Sequence, residues 1–536
     1  MKLDARRIPS GTVLEADICI VGAGAAGITI ARELADSGLA VLLMEAGGED
    51  YEDEAQSLYA GRSLSEEIDP AVNRLRQLGG STNHWGGRSR PFEPEDFAER
   101  PWVPDSGWPI AYADFAAHLP RALEICEIEA GGFAEGGPLA EALPFAPGRI
   151  ESGLWRFSPP TQFGARYGGL LEQAASLRLV LHANLVEIGL DEACGQVRRL
   201  DFATLTGNSL AVASRFAVLA CGGLENPRLL LASRRQMSCG VGNARDMVGR
   251  CFMGHPIWEP MEIQLAPSAR LPRLYSQKRR PDGESEGMVR LGRTAQAELG
   301  TTCVDGGFYA GGQFGPPGMR VARRLWQAAR RGKVPDRLGR DIATLLGDLA
   351  GVAKAGMSRI GIAVPEAPVV TVSTLVEQPP DRDSRVTLGD DPDPLGMPRL
   401  VVDWKVGEAE RQAMSAFCRV LGEEVGRIGL GRARLADWLV DPALPLPRHS
   451  NSAHHLGTTR MSDDPASGVV DRDCRVHGIA NLFVAGSSVF PTGGSVHPTL
   501  NLVALAVRLA AHLGALAKAG GHQPLAALPD DETVSR

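Results

Sequence analysis

The sequence predicts an α/β protein. Three features carry that expectation. A Gly-x-Gly-x-x-Gly turn sits between an apolar strand and a periodic helix near the front. Two later stretches repeat the plan of strand, small-residue turn and helix. Between them runs a long region of strands and helix without a nucleotide fingerprint. Together they describe a Rossmann-like domain assembled from sequence-distant pieces, with an α+β domain on a mostly antiparallel sheet inserted among them.

The first unit is ADICIVGAGAAGITIARELADSGLAVLLMEAGG. Residues 16–21 form a short apolar run with the look of a buried strand, and GITIARELADSG has helical periodicity ending at a glycine. Gly22 allows the tight turn between them, Gly24 lets the backbone approach a pyrophosphate, and Gly27 lets helix and strand pack closely. The second strand, AVLLME, ends in Glu45, eighteen residues beyond Gly27, where a carboxylate accepts from ribose hydroxyls. An acid there disfavours a 2′-phosphate, which leaves FAD or NAD and excludes NADP.

The second unit, SRFAVLACGGLENPRLLLAS (214–233), runs strand, Gly-Gly turn, then a helix with Pro227 expected in its first turn. The third, NLFVAGSSVFPTGGSVHPTLNLVALAVRLAAHL (481–513), ends in a long helix entered through His497-Pro498. LGGSTNHWGG (78–87) holds too much glycine for a helix or strand interior. Some ligand must lie close along that backbone.

A chain of 536 residues is long enough for two or more domains, and 44% apolar with 22% charged residues is ordinary for a globular protein. The net charge of −8 argues against a nucleic-acid partner. The nine cysteines are scattered without metal spacing, so reduced thiols are expected. The N-terminus lacks an apolar signal core, and the apolar C-terminal stretch is interrupted by Arg508, His512 and Lys518. Neither a signal peptide nor a membrane span is expected, and the expected location is the cytoplasm. A metal reading of His449, His454, His455, His477 and His497 fails on spacing, so no metal site is expected.

Over nearly its whole length the chain resembles the glucose-methanol-choline (GMC) oxidoreductases. The N-terminal fingerprint, RLRQLGGSTNHWGG, LACGGLENPRLLL, the 377–404 stretch EQPPDRDSRVTLGDDPDPLGMPRLVVDW, AHHLGTTRM and FVAGSSVFPTGGSVHPTLN match that family's segments in order. The resemblance implies FAD. Gly79, Gly80, Gly86 and Gly87 would then lie along the pyrophosphate and ring, with Arg76 supporting the loop or the phosphates. Asn83, Val186, Gly486 and Pro498 complete the implied cofactor contacts. His84 stands where some members bond a histidine to the flavin 8-methyl group and others carry an unbonded one. Both readings stay open.

The resemblance also implies the chemistry. Alcohol oxidation removes a hydride from carbon, which flavin N5 accepts, and a proton from oxygen, which needs a base near neutral pKa. The family's His-x-x-Gly-Thr signature falls on 454–458, making His454 the implied base, while His455 is expected to pack or point elsewhere. His497 is the implied partner, its pKa lowered by the electropositive helix end it precedes. Asn501 departs from the Thr often found there, and either faces the ring edge or holds the turn.

The expected organisation is a FAD-binding domain over 12–100, 176–256 and 446–518. A substrate or cap segment spans 101–175, a substrate domain 257–445, and a polar tail 519–536. A helix-rich block near 317–356 holds the basic stretch RVARRLWQAARRGKVPDRLGRD, read as a solvated helix face. The glycine loop looks closer to the sugar-oxidising branches of the family (pyranose oxidases, glycoside 3-dehydrogenases) than to those acting on choline. The implied substrate is therefore a sugar or glycoside, and the implied electron acceptor is oxygen, a quinone or another carrier. Oxidation of a non-sugar alcohol, or a lyase with structural flavin, is the alternative.

Overall fold

The computed structural model describes residues 1–129, 133, 137–276, 278–280, 283–310, 321, 338–347 and 369–519. Most of the basic stretch and the tail beyond residue 519 lie outside the described residues.

One sheet is the nucleotide-binding frame. Its parallel strands are β1 (Thr12–Val21), β2 (Val41–Met44), β3 (Leu177–Leu181), β4 (Ser209–Leu219) and β5 (Leu482–Val484). They lie in the order β3-β2-β1-β4-β5, with Lys2–Asp4 beyond β3. The first half of β4 also pairs antiparallel with Val197–Ala203. β2 and residues 18–21 of β1 are continuous runs of buried apolar residues, and β3 is one but for half-buried Arg178, as expected of parallel strands covered on both faces. The first half of β1 leaves Val13 and Glu15 exposed. In register, Val21 faces both Met44 and Leu219, and Leu219 faces Val484. The turns after four strands therefore converge at one edge, the usual ligand crevice of such sheets.

Three helices follow those turns: α1 (Ala25–Leu34), α2 (Gly222–Ala232) and α3 (Pro498–Ala519). α2 starts at Gly222, so Pro227 lies inside the helix rather than in its first turn. A proline there cannot donate to the carbonyl four residues back. That carbonyl, on Gly223, instead accepts from Thr458 Oγ1 at 2.6 Å. Asn226 adds a second tie, accepting from Cys221 N and donating to Ala485 O and Ser488 Oγ. α3 is long and apolar enough to cross a bilayer by length and composition alone, yet it packs into the core against α1.

Among the described residues the second sheet has nine strands and is antiparallel at every pairing. Its main path runs 431–435, 256–265, 369–376, 304–310, 283–291, 150–157 and 88–89. Helix Glu408–Arg427 covers one face with Met414, Phe417 and Leu421. Arg88, Phe157 and Ile257 of this sheet reach the cavity described below. Strands from 88–89 and 150–157 thus join those of the 257–445 stretch.

A second expectation is corrected. RVTLGDD and PRLVVDW fall in the 257–445 stretch, the part of the chain expected to build the mostly antiparallel sheet, and they do not enter it. They form a hairpin, Arg385–Pro392 with Pro398–Asp403, extended by Arg62–Ser63. Alternation along the hairpin buries Val386, Leu400 and Val402 against Leu224 of α2 and Phe252.

Candidate active site

A cavity of about 830 Å³ runs from the fingerprint turn to the paired histidines. At its near end, a Cβ on Gly22 would stand 2.8 Å from Ala220 O, and Gly22 has φ +99°. A Cβ on Gly24 would meet nothing within 4 Å, although Gly24 caps α1 and lines the cavity. The open space at the helix N-terminus suits a phosphate group. Gly27 works from behind: its Cβ would fall 1.9 Å from Gly22 O.

Glu45 lines the cavity while accepting from Ala23 N at 2.7 Å and Gly47 N at 2.9 Å. Burial raises its pKa, and those backbone bonds oppose the rise. Arg76, beside it, donates to Asn184 Oδ1 at 3.0 Å and pairs with Glu225 at 3.5 Å. Burial alone would raise Glu225, but Arg228, Arg74 and Arg76 outweigh it and hold the carboxyl at about 2.

The 78–87 loop closes the long side. Gly79 N donates to Ala23 O at 2.8 Å, tying it to the fingerprint. Gly80, at φ +53°, has room for a Cβ only 3.1 Å from Gly24 Cα. Gly80, His84, Trp85, Gly86 and Gly87 line the cavity. Asn83 does not: its side chain donates to Leu78 O at 2.9 Å and latches the loop. Gly27 and Gly79 likewise stand behind the lining. Val186 is absent from the lining too. Ala183 and Leu185 of that region line the cavity, while Val186 sits at a bulge in its strand between Leu185 and Glu187 and packs against the core. Gly486 and Pro498 line the far wall with Thr499 of the first turn of α3.

At the far end the two histidines meet. The rings of His454 and His497 lie 5.2 Å apart at 77°. His454 follows Ala453, a non-glycine residue at φ +58° held by Asn451 Oδ1, which accepts from Ala453 N at 2.7 Å. That left-handed residue aims the histidine. Burial pushes His454 well below the usual histidine range, helped by His255 and His497. His497 is also lowered, by burial first and then by Arg88 and nearby His255. Its depression therefore has a larger cause than the helix end. Both rings are neutral near pH 7, the form in which an imidazole accepts a proton.

Asn501 holds the turn. Its Oδ1 accepts from Phe92 N at 2.9 Å and its Nδ2 donates to Arg90 O and His497 O. His455 packs against Phe252 with its ring on the cavity wall, and burial, with Arg74, takes it down to about 3. Sequence reasoning missed His255, whose Nδ1 lies 2.8 Å from His454 Nδ1. Its only local signal was a His-Pro pair like 497–498, and nothing nearby linked it to a residue 199 positions on. It also missed Arg88, whose guanidinium stacks 4.4 Å from the Trp155 ring and donates to Glu286.

The residues present fit FAD. Arg76 Nε, His455 Nε2 and His497 Nδ1 are buried polar atoms without a hydrogen-bond partner, all on residues lining this cavity. Glu45 and Arg76 would hold the adenosine end, the α1 N-terminus the pyrophosphate, and the glycine loop with the α3 N-terminus the flavin. The cavity reaches unbroken from that grip to the histidine pair.

Residues 380–506 match the family model described as GMC oxidoreductase. The chain is similar to paromamine 6'-oxidase of Streptomyces fradiae, at 25% identity over 92% of this chain and 90% of the relative. It is similar to the fructose dehydrogenase large subunit of Gluconobacter japonicus, at 24% identity over 94% and 98%. Its fold matches pyridoxine 4-oxidase of Mesorbium loti, with a TM-score of 0.54 at 18% identity, covering 95% of this chain and 100% of the other. The family likeness carried by the motifs holds.

Proposed function

We propose that this chain, a GMC-type FAD-dependent alcohol oxidoreductase, oxidises a hydroxyl of a sugar or glycoside to the carbonyl. The observation that carries the reading is the single cavity joining the dinucleotide grip to His454 and His497. When bound, the flavin supplies the hydride acceptor for the substrate carbon. His454 takes the hydroxyl proton, and His497 hydrogen-bonds the same oxygen and holds it for attack. Pro498 and Thr499 place the N-terminus of α3 on the cavity wall, and a helix N-terminus favours negative charge gathering beside it.

Two observations support a polyhydroxyl substrate. Ser452 Oγ is a buried polar atom without a partner at the histidine end, and the Arg88 guanidinium lines the same end. A hydroxyl-rich ligand would satisfy such groups, where an apolar alcohol would leave them unpaired. The relatives named for paromamine and fructose oxidation agree with that class. Oxygen, a quinone or another carrier would take the electrons onward.

The test is anaerobic addition of sugars, glycosides and simple alcohols to the holoenzyme. A sugar or glycoside is expected to bleach the flavin absorbance faster than any simple alcohol. Bleaching by simple alcohols alone would overturn the substrate class. Consumption of substrate with an unchanged spectrum would replace oxidation by lyase chemistry.

A further inference from the structure

His255 does not line the cavity, yet it is fully buried beside His454. Its two ring nitrogens have different neighbours. Nε2 lies 2.7 Å from Gly494 O, and Nδ1 lies 2.8 Å from His454 Nδ1. The close approach is built in: a Cβ on Gly493 would stand 3.3 Å from His255 Nε2.

A carbonyl oxygen only accepts, so His255 Nε2 carries a proton. Burial pushes the His255 pKa down to about 4, so near neutral pH the ring holds only that one. Its Nδ1 is therefore a bare acceptor, and the proton in the 2.8 Å contact belongs to His454 Nδ1. In neutral His454 the remaining nitrogen, Nε2, is then the lone-pair site. The other charged group acting on His255 is Glu377, itself paired with Arg100 at 2.6 Å.

We propose that His255 is a positioning residue: by accepting from His454 Nδ1 while anchored to Gly494 O, it fixes the His454 tautomer whose Nε2 receives the substrate proton. The same bond strengthens when His454 becomes imidazolium, since its donor is then charged. Gly494 O cannot pass a proton on, so the His255 branch is closed. The proton taken by His454 leaves only through Nε2.

The inference rests on the base role of His454 proposed above. The direct test is the 15N spectrum of histidine-labelled holoenzyme at pH 7.5, with the His454 ring assigned by comparison with a His454→Gln variant. The expected result is a protonated Nδ1 and a bare Nε2, and a proton on Nε2 overturns the proposal. In His255→Leu we expect kcat to fall about 10- to 100-fold, part of the 10²–10⁴ that a positioned base contributes, with KM little changed. The acid limb of its kcat/KM profile should move to lower pH: His255 is neutral above about 4, so the like-charge effect by which it lowers His454 is absent there, and the variant loses only an acceptor for the imidazolium. A change in packing alone would lower the rate without moving that limb. His255→Gln keeps an acceptor oxygen and a donor amide, and should restore most of the rate. A Gln variant no better than the Leu variant, or a Leu variant with an unmoved limb, also overturns the proposal. If the Leu variant does not fold, the wild-type spectrum still decides. A His454→Ala variant with full rate would instead remove the base, whatever the tautomer.

Discussion

His454 is held from three directions: Ala453 in the left-handed region before it, His255 on its Nδ1, and the edge of His497 across the cavity. None of these contacts runs through the dinucleotide grip. Removing the ring should therefore spare cofactor binding. We expect His454→Ala to keep its flavin and lose about 10²- to 10⁴-fold in the rate of flavin reduction, the usual worth of a positioned base. Stopped-flow reduction under anaerobic conditions measures it, and a near-native rate would take the base role away from this residue. His454 and His497 could be found from sequence because each sits in a short local signature, His-x-x-Gly-Thr or His-Pro at a helix start. His255 could not, because its meaning lies in one contact made by two distant segments of the chain.

The elements divide in the same way. The strand–turn–helix units read clearly because apolar runs, glycine turns and helical periodicity are local. The hairpin at 385–403 was misplaced because alternation shows which face is buried but not which sheet or helix buries it. The role of Thr458 belongs to this scale too. Pro227 leaves the Gly223 carbonyl without its helical donor, and a hydroxyl 235 positions away supplies one. That bond pins α2 to the segment carrying His454, in a fully buried place. Thr458→Val would leave the carbonyl unpaired at a cost of about 1–3 kcal/mol. The expected outcome is a lower melting temperature with flavin still bound. A variant as stable as the parent would show that the carbonyl finds another donor.

Across the whole molecule, two kinds of buried charge set the response to pH. Glu225, held at about 2 by its arginines, titrates only in strong acid, so it stabilises the fold throughout the neutral and mildly acidic range. The buried histidines act earlier. Burial lowers His255 to about 4 and His455 to about 3, against about 6.5 for an unfolded histidine. Below pH 6.5 the unfolded chain therefore binds protons that the folded chain refuses, and stability falls as pH falls. Each histidine costs about 1.4 kcal/mol per pH unit in that window, or about 2 kcal/mol by pH 5. Asp305 acts in the opposite sense. Burial raises it to about 6 despite Arg90, so between about pH 6 and 4 the folded chain binds a proton that the unfolded chain does not. That returns about 1.4 kcal/mol by pH 5 and leaves a net loss of about 2–3 kcal/mol from these three groups. The melting temperature of the holoenzyme should therefore drop steadily from pH 7 to pH 5, well above the range where Glu225 titrates. Asp305→Asn should steepen the drop between pH 6 and 5 by removing the offset. A melting temperature that is flat or rising on acidification from 7 to 5 would mean that the buried rings accept protons inside the fold, and with them the neutral histidine pair at the active site would be lost.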